Sequence, residues 1–361
     1  MKPRWLAALC LLLTATAPAA ERHYLYVAEP GIRNYVEYGG VGVLVYDIDR
    51  GYSFVRRIAS QDVPAGKAPE NVKGIAASAS TGRLYVTTLS RVMAFDLKTD
   101  RKLWDRQLDG GADRLAVSPD GKILYVPSFE GPHWTVLDGG TGNALATVVT
   151  NSGAHNTIYA PDGRHVYLAG LHSNLLSIAD PATHTVTGHA GPFSNVIRPF
   201  TIDAARGLCF VNVNDLLGFE VGDLKTGRML HRVEVAGFAK GPVKRHGCPS
   251  HGIALTPDGR ELWLADGANN ALHIFDTTTM PPRQAATIKL RDQPGWITFS
   301  IDGTRVYPST GEVIDTKTRK IVGTLTDEKG RAVQSEKLLE VDFSGSNVVR
   351  AGDQFGIGRR Q

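Results

Sequence analysis

The chain has 361 residues, room for one large all-β domain or two ordinary ones. Its 40 basic and 36 acidic residues leave a formal charge of +4, which gives no concentrated basic face, so no nucleic-acid partner is expected. Hydrophobic residues make up 42% of the chain, ample for a core, and 39 glycines suit a fold with many turns.

The N-terminus reads as an export leader rather than as part of the fold. Lys2 and Arg4 supply a positive start, Leu6 to Leu13 a short apolar run, and Ala17-Pro18-Ala19 the small residues of a cleavage site. Residues 1–20 are therefore expected to be a signal peptide, with cleavage after Ala19 or Ala20. The run is too short to span a bilayer and no second one follows. No transmembrane segment is expected after cleavage, and the expected location is periplasmic or secreted. The mature chain keeps two cysteines, Cys209 and Cys248. An oxidising compartment permits a bond between them, but the repeat places Cys209 in a strand and Cys248 in a loop, so their pairing stays open.

From Gly74 onward the sequence repeats at a period of roughly forty residues. An apolar strand, a polar turn and a second apolar strand recur as GIAASASTGRLYVTT from Gly74, RLAVSPDGKILYVPS from Arg114 and NTIYAPDGRHVYLAG from Asn156. They return as FTIDAARGLCFVNV from Phe200, GIALTPDGRELWLAD from Gly252 and WITFSIDGTRVYPST from Trp296. The Asp-Gly turns supply the positive φ of tight hairpins. A third strand ending in Asp follows each hairpin, and a short fourth strand follows that. Four strands per unit is a propeller blade.

Six complete units are expected between about residues 71 and 333, and the two termini supply a seventh. His23 to Glu29 reads as its second strand, Val41 to Asp49 as its third, and Lys337 to Gly345 as the missing first. The expected fold is all-β: a single seven-bladed β-propeller of four-stranded blades over residues 21–361, its ring closed by the C-terminal strand joining the N-terminal blade.

The units resemble the YVTN-type β-propeller repeat family, which includes YncE-like bacterial periplasmic proteins. The resemblance is carried by Leu84-Tyr85-Val86-Thr87-Thr88, by Leu124-Tyr125-Val126-Pro127 and by the turn Ser118 to Gly121, and it runs through essentially the whole mature chain. It implies architecture more than activity, because propellers host binding proteins, hydrolases, lyases and oxidoreductases alike.

Strand order places the candidate site. The first strand of each blade lines the central channel, and its upper end shares one face with the loops after the second strands. The residues at those upper ends are Lys73, Asp113, His155, Arg198, His251, Gly295 and Lys337. A ring so rich in cations and imidazoles is expected to bind a small anionic ligand or a periplasmic protein partner. A solvated channel without a ligand is the alternative. The loops of the same face add Glu29, Glu130, His133, His172, Asn214, Asp215, Asp266, Asn269 and Asn270, each by itself a common turn residue.

The densest cluster is Arg245-His246-Gly247-Cys248-Pro249-Ser250-His251. With His155 from across the ring, His246, Cys248 and His251 are candidate ligands for a divalent transition metal, since imidazole and thiolate suit such ions. The spacing matches no zinc motif. There is no nucleophile elbow, P-loop, dinucleotide fingerprint or haem-attachment motif. Three readings stay open: a binding or scaffold protein, a metal-assisted lyase or lactone hydrolase using the histidines, and an accessory subunit of a redox or metal-export system.

Overall fold

The repeated sequence folds, in a computed structural model describing residues 20–357, as seven antiparallel blades arranged in a ring. Of the expected leader, residues 1–20, all but the last lie outside the described residues. Blade one combines both termini, and blade two comprises Val72–Ser78, Arg83–Thr88, Arg91–Asp96 and Lys102–Gln107. The inner strands of blades three to seven are Ala116–Val117, Ala154–Tyr159, Ile197–Asp203, Ser250–Leu255 and Ile297–Phe299. The three inner strands of a blade are packed on both faces. They therefore read as unbroken apolar runs such as Leu84-Tyr85-Val86, all fully buried. Outer strands such as Thr185–Ala190 alternate between exposed and partly buried positions.

The repeated turn has a chemical reason. In Ser118-Pro119-Asp120-Gly121 the Ser118 hydroxyl donates to Asp120 Oδ1 at 2.6 Å and accepts from the Ile123 amide at 2.9 Å. Gly121 takes φ 74°, which a side chain would oppose. Ser300 and Asp302 repeat this arrangement, as do Thr256 and Asp258. The Asp ending each third strand caps the next turn, Asp138 accepting from the Thr141 amide at 2.7 Å and Asp315 from the Thr318 amide at 2.8 Å.

The ring closes where the sequence requires it. Leu338–Ser344 runs antiparallel beside Glu21–Glu29, with Tyr24 opposite Val341 and Val27 opposite Leu338. Gly42–Asp47 and Ser53–Ile58 complete the blade outward. One feature departs from the four-strand expectation. After Ser344 the chain turns through Gly345 and adds a fifth strand, Asn347–Ala351, on the channel side of the closing strand.

The segment after this fifth strand then enters the channel. Gln354 accepts from the Ile75 amide and donates to the Leu115 carbonyl at 3.2 Å. Its own carbonyl receives the Trp296 indole N–H. The Gly356 carbonyl accepts from Leu255 and Thr201. Phe355 and Ile357 are buried in one apolar cluster with Ile158, Ile202 and Trp296. The axis of the ring, which the alternative reading left to solvent, is thus occupied below its mouth by the chain's own C-terminal segment. Among the described residues no helix is long and apolar enough to cross a membrane.

Candidate functional site

At the channel mouth a cavity of about 570 Å³ is lined by Lys73, Asp113, His155, Arg198, His251 and Lys337, the six ring residues with side chains. At Gly295, the seventh, the place of a side chain is taken by His246 and Glu336. Six inner strands and the closing strand bring these positions to one height, which is why residues 264 positions apart, Lys73 and Lys337, share a wall. Of the loop residues of this face, Glu130 lines the cavity. Glu29 is buried and accepts from the Gly31 amide, and Asp266 is held by Asn269 and His273.

Two residues that the one-per-blade alignment passed over organise the site. Arg114 is 2% exposed, and its guanidinium lies 3.4 Å from the centre of the Trp296 ring. It donates to Glu336, Nη2 to Oε2 at 2.7 Å and Nη1 to the carbonyl oxygen at 3.1 Å. Lys337 Nζ donates to the same Oε2 at 2.9 Å and to the Gly31 carbonyl at 2.8 Å. Arg114 lines the cavity and stacks on Trp296, whose indole N–H reaches the Gln354 carbonyl. The signal was present in sequence, because Arg114 and Glu336 each adjoin a ring residue, but nothing local says that they meet.

The cations are therefore not a bare ring. Lys73 lies 3.5 Å from Asp113, and Arg114 and Lys337 share Glu336. Burial pushes the Lys337 ammonium down to about 7, while Glu336 draws it partly back. Arg198 differs. Its Nε is buried without a hydrogen-bond partner, and its guanidinium sits beside the Cys248 thiol rather than a carboxylate.

On one side, His155 Nδ1 lies 2.7 Å from Asp113 Oδ2. Burial lowers the imidazole's pKa against the pull of Asp113, favouring the neutral ring. An ionised Asp113 can only accept, so Nδ1 carries the proton and Nε2 is left with a bare lone pair. On the other side, His246 and His251 stack at 4.0 Å with ring planes 17° apart. His251 Nδ1 donates to the Gly295 carbonyl at 2.7 Å, which leaves its Nε2 as an acceptor or ligand. Burial lowers this imidazole's pKa well below its ordinary value, and His246 pushes in the same direction.

The structure divides the four candidate metal ligands. His246 and His251 stand together with Glu336, their ligand atoms within 4.8 Å of one another. His155 is held by Asp113 instead. Cys248 is buried, its thiol donates to the Ser250 carbonyl at 3.0 Å, and burial raises its pKa to about 11. It is not poised as a thiolate. Cys209 packs in the second strand of blade five, and both cysteines are free thiols. The pairing left open by sequence does not occur.

No family model matches the chain, and no curated protein does. Among solved structures it is similar to Kuenenia stuttgartiensis hydrazine synthase, with a TM-score of 0.60 at 14% identity over 79% of this chain and 89% of that one. At that identity the likeness establishes the seven-bladed propeller fold and carries no chemistry with it.

Proposed function

We propose that this chain is an exported YVTN-type propeller protein that binds a small anion, a carboxylate or a phosphate, in the cavity at the channel mouth. The leader pattern of residues 1–20 and the YVTN-like repeat support the first half. Arg198 carries the second: its side chain lines a concave cavity, its Nε is buried without a partner, and among the described residues no carboxylate pairs with it. Lys73 and Lys337 reinforce the potential. The C-terminal segment fills the channel axis through Gln354 and Phe355, and the cavity's volume is that of a small-molecule site. That volume favours a small molecule over a docking protein.

The test is calorimetric titration of residues 21–361 with acetate, succinate and inorganic phosphate. At least one should bind with a stoichiometry near one. Arg198→Ala should weaken it roughly 10- to 100-fold, the scale of a charge-assisted hydrogen bond. Binding unchanged by that substitution, or no binding at millimolar concentrations, overturns the reading.

The Asp113–His155 pair favours a second reading, hydrolysis of a lactone or an elimination, with His155 Nε2 as general base. Turnover of a lactone panel that disappears in His155→Ala would support it.

A further inference from the structure

We propose that His246, His251 and Glu336 form a binding site for one first-row divalent transition metal on the wall of the mouth cavity. This goes beyond the anion reading and does not rest on it.

Three independent features of the cluster point to a ligand. The first is Glu336. Its side chain is 6% exposed, and its two oxygens are used differently. Oε2 is fixed by Arg114 and Lys337, whereas Oε1 is buried without a hydrogen-bond donor. Oε1 lies at ion-pair distance, 3.0 Å, from His246 Nε2, and among the described residues no other group meets it. A buried carboxylate oxygen left unpaired costs free energy unless something else meets it.

The second feature is the state of the imidazoles. His251 donates Nδ1–H to the Gly295 carbonyl, the kind of outer hydrogen bond that fixes the tautomer of a metal-binding histidine and aims its Nε2. The stacking of His246 on His251 holds the second ring in register. Arg114 and Lys337 play the same orienting part for the carboxylate.

The third feature is Gly295. A Cβ there would stand 2.2 Å from both His246 Nε2 and Glu336 Oε1. The two groups occupy the space that any side chain at 295 would need, so the ring position without a side chain is the one that admits the cluster.

Two imidazoles and one carboxylate, with all three ligand atoms within 4.8 Å, suit zinc, cobalt(II) or iron(II). They do not suit magnesium or calcium, which take oxygen shells. All three residues line the cavity, so the remaining coordination positions are open to water or to a small molecule.

The experiment uses residues 21–361 without a polyhistidine tag, stripped with chelator and titrated with cobalt(II) and zinc(II). One equivalent of cobalt should bind, giving ligand-field absorption bands that zinc displaces. His246→Ala and His251→Ala should each weaken cobalt binding at least roughly tenfold, the lower end of the effect of outer-sphere substitutions alone. His246 is in a loop, so its variant keeps the fold testable, whereas Glu336→Gln also removes the buried partner of Arg114 and Lys337. Cys248→Ser should bind cobalt as the parent does. No saturable binding, or binding unchanged in both histidine variants, overturns the site. Anion titration of the metal-free protein is a separate measurement, so either proposal can fail alone.

Discussion

Arg114 and Glu336 meet across the mouth of the channel, Nη2 to Oε2 at 2.7 Å, although 222 residues separate them. Arg114 belongs to blade three and Glu336 leads into the strand that closes blade one. The pair thus ties ring closure to the lining of the cavity. Both side chains are nearly inaccessible, 3% and 6% exposed, so neither charge can be left alone cheaply. Arg114→Met should cost roughly 1–3 kcal/mol in denaturant unfolding, because it removes one of the two cations that share the buried Glu336 carboxylate and leaves Lys337 as the other. The double variant Arg114→Met with Glu336→Gln should recover a large part of that loss. Equal stability of the single and double variants would contradict the pairing.

The C-terminal segment separates two contributions to stability. Removing residues 335–361 takes away the closing strand and exposes the edge of Glu21–Glu29. That truncation should aggregate or lose cooperative unfolding. Phe355→Ala leaves the ring intact and empties part of the plug, where Phe355 is 4% exposed. It should cost about 3 kcal/mol. Calorimetric melting of both variants distinguishes closure from plugging, and a truncated chain that melts like the parent would refute closure.

Glu340 gives the stability a pH dependence. Burial raises its carboxyl from 4.5 to about 8, with Asp342 adding to the rise, while the Ile301 amide pulls it back. The folded state therefore holds a proton that the unfolded chain releases near 4.5. This group's contribution is complete below about pH 4.5, falls as the pH rises, and is lost above about 8. Glu340→Gln mimics the protonated acid and can keep the hydrogen bond from Ile301. It should flatten the loss of stability between pH 5 and 8 by on the order of 2 kcal/mol. Parallel pH profiles for variant and parent would count against this account.

The two cysteines should behave as free, sheltered thiols. Cys209 and Cys248 are both buried, and burial raises their pKa values to about 12 and about 11. Alkylation of the unreduced mature chain should be slow in buffer and add two labels in denaturant, read by mass spectrometry. Absence of labelling in denaturant would indicate a bond.

Gly295→Ala probes the cavity without removing a charged group. The new Cβ has to displace His246 or Glu336. His246 sits in a loop and can give way, so the ring should stay folded while the His246–His251 stack is lost. Near-parent melting with weakened cobalt binding is the expected outcome, and unchanged cobalt affinity would show that the close approach is unimportant.

The sequence by itself determined the blades. Leu84-Tyr85-Val86 and its counterparts are apolar without alternation because they are buried on both faces, and Ser118-Pro119-Asp120-Gly121 forms its turn from its own side chains. Ring closure was equally legible, since only one unit lacked a first strand and only the C-terminus could provide it. The same alignment brought Lys73, Asp113, His155, Arg198, His251 and Lys337 to one rim, because equivalent positions in equivalent blades lie at equal height. Tertiary structure alone decided what lies between the repeats. The meeting of Arg114 with Glu336, the grouping of Glu336 with His246 and His251, and the plug around Gln354 and Phe355 are contacts that do not repeat from blade to blade. Their contacts depend on how a loop and a tail fill the axis once the ring has closed. A repeat fixes where blades go, whereas packing along the axis is a property of the finished ring.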